Sequence, residues 1–402
     1  MTVEVLLPTS SIAPGEILAR LQRRGVAPFS PERVRFVVEL SAALLAQRDA
    51  PELQSLGFFC RPAAIERLRV ETMAAQRGAR LMPRGAVLHV TPGNVDTLFM
   101  YSWLLSFLCG NLDVLRLSDR ESTTTERLLG VLRTLLQEPA HANAAAALTV
   151  LRFPHGHPLL EQLSLAADVR VFWGGDETIT TLRAMRRRPQ TRDVCFGDRS
   201  SAAVLNATAV LSASAEVKEG LASRFVTDAY WFDQLACASP REVIWVGQPA
   251  EFEAARGWFW GAVRQRAEQR AETPDVGTVL KKEAALQQLA MNEAPVRVER
   301  HGPWLTVIGL DVPALGGEAC GGGFFLESAV PDVAALAPRL GRANQTLTTF
   351  GFDAASLEPF FADGAWPPDR IVPVGQALTF SSLWDGLDLF VEFTRRLDLR
   401  PG

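Results

Sequence analysis

The sequence predicts an α/β protein in which mostly parallel sheets are covered by helices, and two observations carry that expectation. From about residue 85 onward, short apolar runs alternate with longer helical ones, the pattern of successive β-α-β units. The 402 residues, 48% hydrophobic and 21% charged, have ordinary globular composition and length for roughly two or three domains.

Strand-like Ala86 to Val90 comes first, followed by helix-like Asp96 to Cys109 and strand-like Leu112 to Leu117. A second round has helix-like Thr123 to Gln137, strand-like Leu148 to Phe153, helix-like Pro158 to Ala167 and strand-like Val169 to Trp173. Right-handed crossovers place the loops after successive strands along one sheet edge, where open α/β sheets bind ligands. Those loops hold small and polar residues: Thr91-Pro92-Gly93-Asn94, Ser118-Asp119 and Gly174-Gly175-Asp176. No GxGxxG follows a strand and no GxxxxGK[ST] is present, so the layout is that of a nucleotide site without the usual dinucleotide or P-loop fingerprint.

A change of composition near Phe196-Gly-Asp-Arg-Ser-Ser201 marks a boundary, beyond which Val217 to Val226 and Glu251 to Glu272 are helix-like and Glu242 to Val246 is strand-like. The expected organisation is a helical support region over 1–80, a nucleotide-binding domain over 81–200 and a second α/β domain over 201–375. A segment over 376–402 then returns to pack on the core or on a subunit interface.

Lys and Arg number 41 against 45 Asp and Glu, a net charge of −4, so no basic field points to nucleic acid. Cys60, Cys109, Cys195, Cys237 and Cys320 are widely spaced, odd in number and never paired as CxxC. That pattern indicates neither a disulfide framework nor a zinc knuckle and fits a reducing cytoplasm. The first residues have no basic stretch and are broken by Glu4 and Pro8, unlike a secretory signal. The charge-free stretch Thr97 to Leu112 falls short of the roughly 18 to 20 residues that span a bilayer, so a buried helix is expected and no transmembrane segment. His155 and His157 lie beside prolines with no third ligand in view, and no metal site is expected. Arg186 to Arg188 are expected at a helix end, where cations suit the dipole.

The segment Trp231-Phe-Asp-Gln-Leu-Ala-Cys237-Ala-Ser-Pro240 puts a cysteine among small and polar neighbours ahead of a strand-like run. An ordinary thiol, with a pKa near ~8.5, is mostly protonated at neutral pH. A nucleophilic role for Cys237 therefore requires helix-terminal amides or positive charge nearby. Taken alone, Cys237 is explained as an inert buried thiol and Asn94 as a turn residue.

The segments Pro92-Gly-Asn94, Gly110-Asn111, Val114-Leu-Arg116-Leu-Ser118, Phe172-Trp-Gly-Gly175, Phe196-Gly-Asp-Arg-Ser200 and Gln234-Leu-Ala-Cys237 occur in this order, an order that resembles the aldehyde dehydrogenase superfamily. Within it, four runs resemble the LuxC-type acyl-CoA reductases. They are His89-Val-Thr-Pro-Gly-Asn-Val95, Asp233 to Pro240, Asn344-Gln-Thr-Leu-Thr-Thr-Phe-Gly351, and Arg370-Ile-Val-Pro-Val-Gly-Gln-Ala-Leu378 followed by Trp384-Asp-Gly386. The resemblance runs from about residue 80 to the C-terminus.

It implies an aldehyde dehydrogenase-like fold, with a Rossmann-type cofactor-binding domain plus an α/β catalytic domain. It also implies an acyl thioester reductase that makes an aldehyde with NAD(P)H through an acyl-Cys237 intermediate. Asn94 would donate to the oxyanion together with the Cys237 backbone N–H. Thr91, Pro92, Arg116, Ser118, Asp119, Trp173, Gly174 and Gly175 would face the cofactor, and Glu327 would hold the nicotinamide ribose. The resemblance implies NADPH; Asp119 argues for NADH and Arg116, Ser118 and Arg120 for the 2′-phosphate, so NADH stays open.

Cys195 stands where hydrolytic members of the superfamily have a water-activating glutamate, which favours the reductive, acylating direction. Two alternatives remain: an aldehyde dehydrogenase working oxidatively, and a non-catalytic scaffold that presents acyl chains. Cys320, beside three glycines, ranks below Cys237 as a nucleophile. The implied partners are acyl-CoA or a carrier-bound acyl thioester, an acyl-activating or acyl-transferring protein, and further copies of the chain in a homo-oligomer. Phe99 to Phe107, with Trp103, and Tyr230, Trp231 and Phe232 are candidates for an apolar tunnel or for core packing.

Overall fold

A computed structural model describes residues 3–8, 12–74, 79–93, 95–269, 274–292, 295–316, 320–398 and 400. The chain divides into two units, Met1–Gly197 with Phe380–Gly402, and Asp198–Thr379.

The first unit contains strands β1 (Glu4–Leu7), β2 (Arg80–Pro83), β3 (Ala86–Val90), β4 (Leu112–Leu117), β5 (Leu148–Arg152), β6 (Val169–Trp173) and β7 (Arg192–Phe196). Six of them form a sheet in the order β1-β5-β4-β3-β6-β7, parallel throughout except for β1 against β5. Every residue of β3, β4 and β6 is buried, as parallel strands covered on both faces require. The chain moves outward from β3 in one direction through β4 and β5, then in the other through β6 and β7. The loops after β3 and β6 therefore flank the point where strand order reverses, the place where such sheets bind ligands.

The apolar stretch after β3 becomes the helix Leu98–Leu108, buried at every position from Phe99 to Leu108. Among the described residues no helix is long and apolar enough to cross a membrane. Trp103 and Phe107 pack around Phe36, and Tyr230 is buried in the second unit, so these aromatics fill cores.

The first 80 residues do not form a region of their own, contrary to the sequence expectation. Ile17 and Leu21 share a core with Leu88, Val90, Val114 and Leu163, and Phe36 is fully buried. Short amphipathic helices have too little apolar surface to stand alone and are stabilised by the sheet they cover. This stretch also supplies β1 to the sheet edge and β2 to a pairing with the C-terminal strand Thr394–Leu397. The C-terminal segment is part of the same unit. The Tyr101 hydroxyl donates to the Ser381 carbonyl, and the Asn111 amide accepts from Gly85 N at 3.0 Å while donating to the Phe393 carbonyl at 2.9 Å.

The second unit holds β8 (Ser200–Asn206), β9 (Pro240–Val246), β10 (Arg297–His301), β11 (Leu305–Gly309), β12 (Phe324–Val330), β13 (Asn344–Phe350) and β14 (Arg370–Pro373). Their order is β10-β11-β12-β9-β8-β13-β14, with only β10 antiparallel to its neighbour. Phe225, Trp245, Phe259, Trp260 and Phe325 form the core on one face. The helix expected over 217–226 extends to Ala215–Tyr230 because Ser214 caps its start, accepting from Val217 N at 3.3 Å. The next begins at Pro249 rather than 251, where Gln248 and Glu251 form a capping box, and runs to Glu268. A third helix, Val276–Asn292, was not anticipated.

Gly110 turns the chain from the buried helix into β4 with φ +85°, and a Cβ there would lie 2.0 Å from the Val26 carbonyl oxygen. We expect Gly110→Ala to lower the unfolding free energy by at least about 2 kcal/mol, measured by chemical denaturation. An unchanged midpoint would contradict this placement.

Candidate active site

Cys237 sits in the turn between the helix Ala215–Tyr230 and β9. Asp233 and Gln234 take left-handed backbone conformations there, φ +50° and +64°, and the buried Gln234 side chain holds the turn. Its amide nitrogen donates to the carbonyls of Pro240 at 3.1 Å and Phe324 at 2.9 Å, and its oxygen accepts from Phe324 N at 3.0 Å. Ser239 Oγ donates to the Asp228 carbonyl at 2.8 Å, and Ser201 Oγ to the Cys237 carbonyl at 2.7 Å. The half-buried cysteine thus has a fixed backbone. Its Sγ accepts from Gln345 Nε2 at 3.2 Å. Arg241 lies four residues on, at the start of β9. Burial lowers its pKa, while the charges of Cys237 and Asp198 act in the opposite direction.

The other cysteines differ. Cys60 and Cys109 are fully buried, and burial pushes both thiols well up. Burial also raises Cys195 and Cys320, with Lys282 opposing the shift at Cys320. Lys282 is itself drawn down by burial to about 8 and donates to the Pro303 carbonyl at 2.7 Å.

In the first unit a crevice opens over the carboxyl ends of β3 and β4, lined by residues including Thr91, Pro92, Gly93, Ser118 and Arg120. A Cβ at Gly93 would come 2.7 Å from Ser118 Oγ, so only glycine permits this close approach. Arg120 Nη1 donates to the Gly93 carbonyl at 3.2 Å. Asn94 lies outside the described residues. Gly175 caps the helix Asp176–Ala184. A Cβ at Gly174 would meet only Thr178, at 3.7 Å, so the backbone there is open to a ligand. Glycines at a helix start and a loop that only glycine can close suit a dinucleotide at the strand-order reversal.

Three expected cofactor contacts are corrected. Arg116 is buried, its Nε donating to the Phe153 carbonyl at 2.8 Å, with Nη1 3.0 Å from His155 Nε2 and Nη2 3.5 Å from Asp119 Oδ1. It ties β4 to the chain after β5 and does not present its guanidinium to a ribose. Trp173 is also buried, stacked on Phe196 at 3.7 Å with its indole N–H donating to Ser102 Oγ at 3.1 Å, so it supports the Gly174 loop from beneath. Glu327 has no exposed side-chain surface. One oxygen accepts from Trp245 Nε1 at 2.9 Å and Trp260 Nε1 at 2.5 Å, the other from Arg256 Nε at 2.8 Å and Arg297 Nη2 at 2.5 Å. A carboxylate already accepting four hydrogen bonds has no lone pair left for a ribose.

Beneath the crevice, Ser102 Oγ is 2.7 Å from His89 Nδ1 and His89 Nε2 is 3.2 Å from Asp113 Oδ1. The Trp173 indole donates to the same hydroxyl, so Ser102 and His89 link Trp173 to the Asp113 carboxylate. His157 is a helix cap, its Nδ1 accepting from Leu159 N at 3.1 Å. Arg187 and Arg188 pair with Asp193 at 3.0 Å and Asp168 at 2.6 Å.

Gln345 and Arg241 were given no role at Cys237 by the sequence. Gln345 lies in the Asn344–Gly351 run, and nothing in the sequence places that strand against a cysteine 108 residues away.

Solved structures give the class. Aldehyde dehydrogenase 21 of Physcomitrella patens, in complex with the reaction product succinate, superposes with a TM-score of 0.66 at 15% identity, covering 96% of this chain and 86% of that one. A NAD-dependent aldehyde dehydrogenase of Sinorhizobium meliloti gives 0.67 at 15% identity, with 98% and 89% covered. The fold is that of an aldehyde dehydrogenase. Residues 60–396 match the family described as acyl-CoA reductase (LuxC), and the chain belongs to that family. The long-chain acyl-protein thioester reductase of Aliivibrio fischeri is 27% identical over 171 residues, 42% of this chain and 33% of its own length. The protein of the same name from Vibrio harveyi is 30% identical over 175 residues, 43% and 34%. The match spans about a third of the length of these curated relatives.

Replacing Glu327 by Gln leaves Arg256 and Arg297 without their buried counter-charge. We expect the change to destabilise the protein by about 3 kcal/mol while the folded variant keeps its KM for reduced nicotinamide. A selective rise in that KM would restore the ribose role.

Proposed function

We propose that the chain is an acyl thioester reductase, forming an aldehyde from acyl-CoA or a carrier-bound acyl thioester and a reduced nicotinamide cofactor through an acyl-Cys237 intermediate. The observation that carries this is the Cys237 sulfur, half-buried and accepting an amide N–H, in a chain of the LuxC family. As thiolate it attacks the thioester carbonyl, and the tetrahedral intermediate collapses with expulsion of the CoA or carrier thiolate. The Cys237 backbone N–H and the Asn94 amide are assigned to the oxyanion. Reduced nicotinamide, when bound, supplies the hydride that turns the thioester carbon into a thiohemiacetal. The carbon–sulfur bond of that adduct then breaks, the electron pair returns to Cys237 and the aldehyde leaves.

Thr91, Pro92, Gly93, Ser118, Gly174 and Gly175 would hold the cofactor. NADPH is the preferred form, because Ser118 and Arg120 line the crevice whereas Asp119 is turned to Arg116 at 3.5 Å. Cys195, kept neutral by burial, is a poor base for water, so the acyl-enzyme waits for hydride rather than hydrolysing. The names of the relatives make a long acyl chain on a protein thioester the first substrate to try. An acyl-donating protein partner, a homo-oligomeric state and a cytoplasmic location belong to the same proposal.

Protein mixed with long-chain acyl-CoA and no cofactor is expected to gain the acyl mass on the Cys237 peptide. NADPH should then remove it with release of aldehyde, and Cys237→Ala should abolish both. A label that survives in the variant would move the chemistry to another residue, and an unlabelled wild type would favour the scaffold alternative. Arg120→Ala is expected to raise the KM for NADPH about tenfold and leave that for NADH unchanged; parallel changes in both would remove the 2′-phosphate assignment.

A further inference from the structure

We infer that Gln345, backed by Arg241, holds the Cys237 sulfur as a thiolate in the resting enzyme and receives it again as the leaving group when aldehyde departs. The inference rests on the nucleophilic role proposed for Cys237.

The geometry begins with an irregularity in β13. Asn344 pairs with Ser200 and Leu347 with Ala202, so Gln345 and Thr346 together face the single residue Ser201. An extra residue of this kind re-aims side chains. Gln345, with no exposed surface, directs its amide nitrogen to the sulfur at 3.2 Å. Thr346 N donates to Ser201 Oγ at 3.2 Å, and that hydroxyl donates onward to the Cys237 carbonyl at 2.7 Å. The bulge thus grips the cysteine twice, once by its backbone and once by its sulfur.

A carboxamide takes up no proton at these pH values, so Gln345 is no base. Its N–H bonds more strongly to a charged sulfur than to a thiol, which selects the ionised form. The guanidinium of Arg241, four residues on at the start of β9 and facing both Cys237 and the Asp198 carboxylate, acts in the same sense. Ionisation sends the thiol proton to water, so attack on the thioester requires no separate general base. The same donors meet the electron pair that returns to sulfur when the thiohemiacetal breaks. Gln345 therefore serves both acylation and release, which a residue that merely shapes the bulge would not.

The test is the pH dependence of Cys237 alkylation by iodoacetamide, read by peptide mass spectrometry without substrate. The wild-type midpoint is expected below the ~8.5 of an ordinary thiol. Gln345→Leu and Arg241→Leu are each expected to raise it by about one unit, a tenfold loss of thiolate at neutral pH. Arg241→Lys should recover most of the shift. The near-isosteric Gln345→Glu should raise the midpoint furthest, since a carboxylate repels the thiolate, and it supplies the answer if the leucine variant does not fold. Acylation and aldehyde release should both slow in Gln345→Leu. Unchanged midpoints in folded variants would overturn the inference even where acyl-CoA still labels Cys237. Shifted midpoints in a protein that no acyl thioester labels would uphold the resting thiolate, but would remove its role as leaving group together with the reductase function.

Discussion

The site depends on one side-chain amide, that of Gln234. Two consecutive non-glycine residues in left-handed conformation cost about 1 kcal/mol or more each, and the turn at Asp233 and Gln234 persists because the second residue's amide completes a backbone pattern. It donates to and accepts from Phe324 as a neighbouring strand would, while also reaching the Pro240 carbonyl. Because Gln234 is buried, losing these bonds would leave polar atoms unsatisfied in a dry interior. The starts of β9 and β12 are joined through it, and Cys237 is the middle one of the five residues between Gln234 and Pro240. The glycines ahead of β12 belong to the same construction. Gly322 N donates to the Asp233 carbonyl at 3.2 Å, and a Cβ on Gly323 would lie 2.0 Å from the Trp304 carbonyl oxygen.

The crevice over β3 and β4 is built on a different plan. Its loops are open above and tightly underpinned below by Trp173, Ser102, His89 and Asp113, which form a hydrogen-bonded series. In such a series each donor polarises the next. Arg33, close to the Asp113 carboxylate and drawn down by burial to about 10, donates to the Phe107 and Asn111 carbonyls at 2.9 and 3.0 Å. Polar residues near a ligand-binding edge can thus be foundations rather than contacts, as Arg116 and Glu327 are.

That distinction sets how much was legible in the sequence. Val169 to Trp173 and the ends of Ala86 to Val90 and Leu112 to Leu117 were readable, because these fully buried parallel strands are short, mostly apolar runs bounded by turn residues, despite His89, Asp113, Arg116 and Arg170 within them. The helix after β3 was readable for the same reason. β7 and β8 were not, since only Gly197, Asp198 and Arg199 separate them and the small polar residues around that break read as a domain boundary. Helix Val276–Asn292 escaped because Val276, Leu280 and Met291 are exposed, which blurs the apolar stripe. At the site, Cys237 and the glycine loops declare themselves through local chemistry. The donors to its sulfur do not, because a bulge in a strand more than a hundred residues away leaves no periodic signature.

The five sulfurs also fix where the protein is chemically vulnerable. Cys60 and Cys109 are sealed in the core, and burial keeps Cys195 and Cys320 in the protonated form that peroxide attacks slowly. Cys237, reachable and hydrogen-bonded at sulfur, is left as the point of entry for oxidants and electrophilic inhibitors alike. Oxidation there to the sulfenic or sulfinic acid would block the nucleophilic role proposed for this sulfur.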